Sequence, residues 1–204
     1  MTGRFLVVEG IDGAGTTTLS RALAQRLGAL WTCEPSDGGV GRLIRAVLRK
    51  EVALAAGAPD AHDAAMAMLF AADRREHLAV EIDPALAAGA WVVCDRYYHS
   101  TLAYQGARDD AAFEWIRALH RGWARVPDLT LLVDVPVETA QGRRAGDAAR
   151  AAEEIYDAPD TQARVAARYR ALAERLGEPV VTLDGTRAPE AVLAEALAAV
   201  VALR

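Results

Sequence analysis

A glycine-rich loop near the start of the chain has the residues and spacing of a phosphate-binding site. The run Gly10-Ile-Asp-Gly-Ala-Gly15 follows an apolar segment and precedes three threonines. Glycines let the backbone turn so that successive N–H groups point at phosphate oxygens, and the start of the next helix adds its dipole. A hydroxyl at Thr17 falls where this pattern coordinates Mg²⁺. The predicted nucleotide-binding residues are Gly10, Ile11, Asp12, Gly13, Ala14, Gly15, Thr16, Thr17 and Thr18.

Position 16 departs from the phosphate-loop pattern, which asks for lysine there. Lys50 is the only lysine of the chain, and Thr16 offers a hydroxyl without a charge. Removing one pre-organised donor from a transition-state site lowers the rate by about 10²–10³-fold. Two alternatives therefore stay open, an ordinary strand-to-helix turn and a loop that binds nucleotide without supporting transfer.

Acidic side chains recur where the predicted strands end. Glu9, Glu34, Asp95 and Asp134 each lie at or just after an apolar segment. In parallel sheets, ligands bind outside the carboxyl ends of the strands, so these carboxylates point to a site at that edge. Capping of helix N-termini is the simpler alternative for any one of them.

Short aliphatic segments alternate with helical stretches along the chain. The predicted strands are 5–9, 30–33, 91–94, 129–135 and 179–183. The predicted helices are 17–27, 41–50, 60–87 with an interruption near Pro84, 100–107, 110–125 and 189–203. This alternation favours an α/β fold with a parallel sheet covered on both faces.

Size and charge limit the classes of function. The 204 residues suit one globular domain, and 23 basic against 28 acidic residues leave a net charge of -5. Nucleic-acid and membrane-surface binders need a basic face, so neither partner is expected. Cys33 and Cys94 are predicted to be buried thiols, as in a reducing compartment. We expect a cytoplasmic protein because no signal peptide and no apolar stretch of roughly 20 residues is present.

Three further segments strengthen the prediction made from the loop. They are Glu34-Pro35 with Gly41 and Arg45, Leu69-Phe70-Ala-Ala-Asp-Arg74-Arg-Glu-His77, and Cys94-Asp95-Arg96-Tyr97 continuing to Gly106. Together with the loop, they resemble the thymidylate kinase family, whose members transfer the γ-phosphoryl of ATP to dTMP. The resemblance is weakest from about Gly142 to Asp160. It implies a three-layer sandwich like that of P-loop NTPases, with a five-stranded parallel sheet, in one nucleoside-monophosphate-kinase-like domain over residues 1–204.

The resemblance implies a dTMP site and an ATP site at the loop. Phe70 and Arg74 share a helix face, so one can stack on thymine while the other bonds its edge. Arg45 and Arg96 would hold the acceptor phosphate. In isolation, Phe70 is more often a core residue and Arg74 a solvated charge. The implied substrate-binding residues are Asp12, Glu34, Arg45, Phe70, Arg74, Arg96, Ser100, Thr101, Tyr104 and Gln105.

The implied chemistry is in-line phosphoryl transfer assisted by Mg²⁺. Thr17 and Asp95 are the predicted metal site, with the carboxylate acting through water. Arg96 can clamp phosphate in a bidentate fashion. The structural alternatives are an internal ion pair at Asp95-Arg96 and an Asx-turn at Asp12. The implied catalytic residues are Asp95, Arg96, Arg143, Arg144 and Arg150.

The arginine near the transferred phosphoryl comes, in this family, from the P-loop or from a lid. Ala14 occupies the P-loop position, so we expect the charge that Thr16 lacks to come from a lid of about residues 143–156 or from Arg96. The family's usual Asp-Arg-x-Glu run is not intact here, which leaves open whether Arg143, Arg144 or Arg150 acts.

Other functions remain possible at this point. A pocket for thymine can admit uracil, since one methyl group is worth about 1–3 kcal/mol, so a kinase for another nucleotide is one alternative. A nucleotide-binding protein with weak or lost activity is the other. The resemblance also implies a homodimer. No catalytic or metal-binding role is predicted for the histidines, and His77 is predicted to be structural.

Overall fold

Five strands form one parallel sheet in the computed structural model, which describes residues 3–54, 57–146 and 154–203. The strands are β1 (Phe5–Glu9), β2 (Leu30–Cys33), β3 (Val92–Asp95), β4 (Leu129–Asp134) and β5 (Val180–Asp184). Their order is β2-β3-β1-β4-β5, and every ladder is parallel. The predicted five-stranded parallel sheet is confirmed, and β1 lies at its centre.

Helices connect successive strands. They are α1 (Thr16–Leu27), α2 (Gly39–Leu48), α3 (Pro59–His77), α4 (Asp83–Ala87), α5 (Tyr98–Tyr104), α6 (Asp110–His120), α7 (Val137–Ala145), α8 (Pro159–Leu176) and α9 (Pro189–Val201). A π-helical turn, Leu78–Ile82, joins α3 to α4. The predicted interruption near Pro84 is therefore confirmed.

The sheet is covered on both faces. All residues of β1 and β3 are buried, although successive side chains of a strand point to opposite faces. Such strands need a layer of helices on each side. Helix α1 packs on β1, β3 and α9, while α8 packs on β4 and α5. This arrangement confirms the three-layer sandwich.

Two helices were missing from the prediction. Helices α7 and α8 lie on either side of the stretch in which the resemblance is weakest and overlap only its ends. Helix α8 nevertheless has a clear apolar stripe, because Val165, Ala166, Tyr169 and Leu172 are all buried. It begins at Pro159, a residue whose fixed φ and missing N–H suit the first helical turn.

A small second core fixes the wall of the site opposite the glycine loop. Ile44 and Val47 on α2 pack with Met66 on α3, and Phe70 packs against this cluster. The neighbouring Arg45 is thereby directed toward the loop after β2, where it donates to the carbonyl oxygen of Ser36 at 2.6 Å. Packing of α2 on α3 thus places two of the predicted substrate residues.

The fold also bears on two predictions made from the composition, the burial of the two thiols and the lack of a membrane-spanning segment. Cys33 and Cys94 are free thiols, of which Cys94 is buried and Cys33 half-buried. Within the described ranges, no helix combines the length and apolar character that crossing a membrane requires.

Candidate functional site

The predicted substrate residues surround one cavity. It has a volume of about 360 Å³ and lies at the carboxyl ends of β1, β2 and β3. All ten residues implied as substrate-binding line it, together with Thr17 and Asp95. Other lining residues were not predicted, and they include Cys33, Leu48, Arg49 and Tyr97. The structure therefore brings the residues together, while their roles remain predictions.

The glycine loop has the backbone of a phosphate cradle. Gly13 and Gly15 have φ values of 88° and 100°, which L side chains rarely adopt. A Cβ on Gly13 would also lie 2.3 Å from the carbonyl oxygen of Ala140. Helix α1 begins at Thr16, has no capping side chain and has no acidic residue in its first turn. Its first N–H groups are thus available to an anion.

Thr16 faces into the loop. Thr16 is only 6% exposed. A Cβ placed on Gly10 would lie 3.1 Å from Cγ2 of Thr16. Its methyl group therefore packs against the start of the loop. The charge that a lysine would bring to this position has to come from another element.

Thr17 and Asp95 are in direct contact. The Thr17 hydroxyl donates to Asp95 Oδ2 at 2.5 Å, which joins the first turn of α1 to the end of β3. Among the described residues, the buried Oδ1 of Asp95 has no hydrogen-bond partner. Mg²⁺ takes few protein ligands besides phosphate and water. The Thr17 hydroxyl and the Asp95 carboxylate are oxygen ligands of the kind that this ion takes.

Arg96 occupies a conformation that the surrounding contacts enforce. Its φ is 72°, and such a left-handed non-glycine residue costs about 1–3 kcal/mol. The guanidinium donates to Asp12 Oδ1 at 2.8 Å and to the Ser100 hydroxyl at 3.1 Å. Burial opposes its charge, yet Tyr104 and Asp12 keep the pKa of Arg96 above its ordinary value. Arg96 is thus a fixed cation at the cavity wall, and its ion pair is with Asp12 instead of with Asp95, as the structural alternative had it.

Arg74 lies fully buried at the wall shared with Phe70. Its Nη2 is 2.6 Å from Glu34 Oε2, and both side chains are at most 2% exposed. The same nitrogen donates to the Thr101 hydroxyl at 3.3 Å. The sequence-based alternative of a solvated charge at Arg74 is wrong.

The carboxylate of Glu9, one of the strand-end acids predicted to lie at the site, supports the cavity wall and does not itself line the cavity. It is fully buried and accepts hydrogen bonds from the backbone N–H of Tyr97, the hydroxyl of Ser100 and the hydroxyl of Tyr169. Burial raises its pKa, and the neighbouring His99 and Arg96 act against that rise. The position of Glu9 at the end of an apolar strand indicated a residue near the site. Its partner Tyr169 could not be predicted, because helix α8 was missing from the prediction.

The other strand-end carboxylates have different partners. Asp134 binds Arg170 on α8 at 2.9 Å and does not belong to the cavity lining, so its predicted place in the site is wrong. Helix capping is not the role of these four residues either. In the described helices, a capping side chain is found at Asp109, which accepts from the N–H of Ala112.

The three lid arginines have separate positions. Arg143 and Arg144 lie in the last turn of α7 instead of in a loop. Arg143 donates to the carbonyl oxygens of Ala14 and Gly185 at 3.1 Å and 2.8 Å, and Arg144 lines the cavity. Arg150 lies outside the described residues.

The end of the predicted lid contacts the opposite wall of the cavity. The N–H of Ile155 donates to the carbonyl oxygen of Leu48 at 3.2 Å, and the Tyr156 hydroxyl donates to Asp63 at 3.2 Å. Tyr156 also packs edge-on against Tyr104. These contacts connect the segment before α8 to α2 and α3.

Three of the histidines are buried beside acidic or basic partners. His77 lies 3.3 Å from Glu34 and 2.8 Å from Glu81, and His99 lies 3.0 Å from Glu178. His120 contacts Arg74. No group of three metal-ligating side chains occurs in the part of the chain that the structure describes.

The cavity, the glycine loop and the fold together define a class of protein. A glycine loop between a central parallel strand and a helix, with a hydroxyl–carboxylate pair beside it, is the arrangement of a P-loop nucleotide-binding protein. The arginines around the same cavity fit a second phosphate group.

Comparison with known proteins identifies the family. The family model described as thymidylate kinase matches residues 8–196, and this chain belongs to that family. It is 42% identical to the thymidylate kinase of Chromobacterium violaceum, over 91% of this chain and 87% of that protein. It is 38% identical to the thymidylate kinase of Rhizorhabdus wittichii, over 98% and 97%. A probable thymidylate kinase of Halobacterium salinarum is 37% identical, over 95% and 94%.

The buried His77 cluster generates a prediction about stability and pH. Burial opposes protonation of His77, but Glu34 and Glu81 raise its pKa above the ordinary value of 6.5. A raised pKa stabilises the fold below the unfolded-state pKa, and this contribution is lost as the pH rises through the folded-state value. We expect the difference in unfolding free energy between the wild type and His77→Gln to shrink from about pH 6 to pH 9. Urea unfolding at both pH values measures it.

A control variant on the same helix separates this effect from general destabilisation. Met68 is 52% exposed on α3, so Met68→Leu should follow the pH dependence of the wild type. A constant difference between the wild type and His77→Gln over the whole range would contradict the assignment.

Proposed function

We propose that this chain is an active thymidylate kinase that transfers the γ-phosphoryl of ATP to dTMP, giving ADP and dTDP for dTTP biosynthesis. The observation that carries the proposal is the single cavity. It joins the Thr17–Asp95 pair beside the glycine loop to Phe70 and the buried Arg74 on α3. A donor phosphate and an acceptor nucleotide can therefore meet in one place.

The buried arginine suits a base with acceptor groups. A guanidinium has N–H donors and no acceptor, so it favours a carbonyl at the base edge over an amino group. Among the described residues, Nε of Arg74 is buried without a hydrogen-bond partner, and the residue lines the cavity. Thymine offers carbonyl oxygens, whereas cytosine presents an amino group at the corresponding edge. Phe70 supplies an apolar surface beside it.

The arginines at the other end suit the acceptor phosphate. Arg96 is fixed by Asp12, and Arg45 is fixed by carbonyl oxygens of Pro35 and Ser36. Phosphoryl transfer depends on positioning and on stabilising negative charge, with little covalent chemistry for the protein. Held in advance, both guanidinium groups would bind the phosphate without further ordering.

Mg²⁺ fits the Thr17–Asp95 pair. The hydroxyl, the carboxylate and the free buried Oδ1 of Asp95 are oxygen donors of the kind that this ion prefers. When bound with ATP, the ion neutralises charge on the phosphate oxygens. The protein's own part is to hold the two oxygen ligands next to the glycine loop.

Arg144 is the arginine that we assign to the transferred phosphoryl in place of a P-loop lysine. A Cβ on Gly13 would lie 2.9 Å from Arg144 Cγ, so its side chain runs along the loop. Its guanidinium pairs with Asp157, which raises the pKa of Arg144. Arg143, by contrast, is bound to carbonyl oxygens behind the loop and is a less suitable candidate.

The alternative of a binding protein without activity is less well supported. Nucleotide binding alone would not require the Thr17–Asp95 pair together with Arg45, Arg96 and Arg144 in one cavity. Thr16 lowers the rate that we expect without removing the remaining groups. A cytoplasmic location and a homodimer belong to the same proposal. Met68 on α3 and Trp115 on α6 are exposed apolar side chains, which is compatible with a homodimer.

An assay with several nucleotides tests the function. With ATP and Mg²⁺, we expect ADP release to depend on dTMP, and dUMP to be used about 10-fold or more less efficiently because it lacks one methyl group. The measurement is kcat/KM in a coupled ADP assay with dTMP, dUMP, dCMP and AMP. Calorimetric binding of dTMP without any ADP release would instead identify a binding protein.

The metal assignment predicts the effect of Asp95→Asn. The substitution keeps the size of the side chain and removes its charge, so the Mg²⁺ concentration for half-maximal activity should rise about 10–100-fold. The matched control is Asp134→Asn, which also lies at a strand end but binds Arg170 outside the cavity. Equal Mg²⁺ requirements in both variants would be incompatible with a metal-binding role for Asp95.

The lid assignment predicts the effect of Arg144→Ala. We expect kcat with dTMP to fall about 10²–10³-fold, because one pre-organised charge at the transferred phosphoryl is lost. Arg170→Ala, which breaks a surface ion pair on α8, should leave kcat unchanged. Undiminished turnover in Arg144→Ala would show that the arginine of the transfer step is a different one.

A further inference from the structure

Arg74 is held by contacts from three separate elements. Its side chain is 1% exposed, and a buried guanidinium needs partners to offset the loss of water. Glu34 after β2 lies at 2.6 Å, Thr101 on α5 at 3.3 Å and His120 at the end of α6 at 2.6 Å. The first two residues line the cavity, and His120 does not. His120 instead lines a smaller cavity of about 200 Å³ between α5, α6 and the end of α8.

The protonation state of His120 follows from its two contacts. Nδ1 lies 2.8 Å from the carbonyl oxygen of Ile116, which can only accept, so Nδ1 carries the hydrogen. Nε2 then has a lone pair and accepts from Arg74 Nη1. Burial and the charge of Arg74 lower the pKa of His120 to about 3. The imidazole is therefore a neutral acceptor at physiological pH.

The neutral ring meets an electrostatic requirement that a carboxylate would not meet. Glu34 already balances the charge of Arg74, and a second buried anion would be left without compensation. An imidazole gives Nη1 an acceptor and adds no charge. The rings of Tyr98 and Trp123 pack at 5.9 Å and 5.4 Å from the His120 ring, which fixes its orientation.

We propose that His120 is a positioning residue for base recognition, which fixes the guanidinium of Arg74 from outside the cavity and thereby sets the affinity for dTMP. The inference rests on the proposed function, because it takes the ligand of Arg74 to be the base of dTMP. Glu34 and Thr101 both bind Nη2, whereas His120 binds Nη1, the other terminal nitrogen of the guanidinium. Loss of this contact leaves Nη1 without its acceptor, so that only the contacts at Nη2 and the ring of Tyr97, 5.0 Å from Cζ, orient the guanidinium.

Two substitutions with opposite expectations test the role. His120→Leu keeps an apolar side chain of moderate size and removes the acceptor. We expect its dissociation constant and KM for dTMP to rise about tenfold to hundredfold, as for loss of a hydrogen bond to a charged group. Its KM for ATP and its kcat at saturating dTMP should stay within about twofold of the wild type, because the phosphate end is untouched. His120→Gln can place its amide oxygen near the position of Nε2, so it should recover most of the affinity.

A stability control distinguishes positioning from folding. Phe113 is buried on the same helix, and its ring packs against the guanidinium of Arg175 at 3.7 Å, so Phe113→Leu should lower Tm without changing dTMP binding. If His120→Leu fails to fold, His120→Asn replaces it, since the shorter amide cannot reach Nη1 and the same loss of affinity is expected. Calorimetry with dTMP alone and steady-state kinetics provide the readouts.

The outcomes separate this inference from the function on which it rests. Wild-type protein that binds and phosphorylates dTMP, with weak binding in His120→Leu and recovery in His120→Gln, supports both. Unchanged dTMP affinity in His120→Leu, or an equal loss in Phe113→Leu, overturns the positioning role and leaves the kinase function intact. A wild-type protein that fails to phosphorylate dTMP overturns the function itself.

Discussion

The carboxylate of Glu9 lies at the end of the central strand with no access to water, so the protein must supply its hydrogen bonds. Tyr97 and Ser100 supply them from the segment after β3, and Tyr169 supplies one from α8. Because these donors belong to elements far apart in the chain, satisfying one buried acid fixes three parts of the fold together. The left-handed Arg96 lies inside this arrangement, and its strain is balanced by the contacts around it.

Carboxylates and carbonyl oxygens fix the arginines at the end of the cavity that we propose for phosphate. Arg96 is bound by Asp12, Arg144 by Asp157 and Arg45 by loop carbonyl oxygens. Each guanidinium is therefore placed before a ligand arrives, which reduces the reorganisation that transfer would otherwise require. A distributed set of arginines is physically different from one flexible lysine, because planar groups in fixed positions can bind phosphate in a bidentate fashion.

Local patterns in the sequence were sufficient for the sheet and for the glycine loop, and the family resemblance supplied ten of the residues that line the cavity. Strand periodicity and short motifs depend on neighbours in the chain, and they identified Thr17 and Asp95, whereas Arg74 was assigned to the site through the family resemblance. Contacts between distant segments were not predictable. The partners of Glu9 and Arg74 on α8 and α6, the bond of Arg143 to the loop and the removal of Asp134 from the site all depend on how the helices pack. The apolar stripe of α8 was present in the sequence, but no motif drew attention to it.

Lys50 follows α2 in a left-handed conformation and lies outside the cavity lining. With no other lysine in the chain, the cavity presents guanidinium groups and no primary amine. Reagents that acylate or reductively alkylate amines would thus have one side-chain target, which directly follows the cavity-lining Leu48 and Arg49 in the chain. Such reagents leave guanidinium groups unmodified, so the arginines of the cavity would keep their charge.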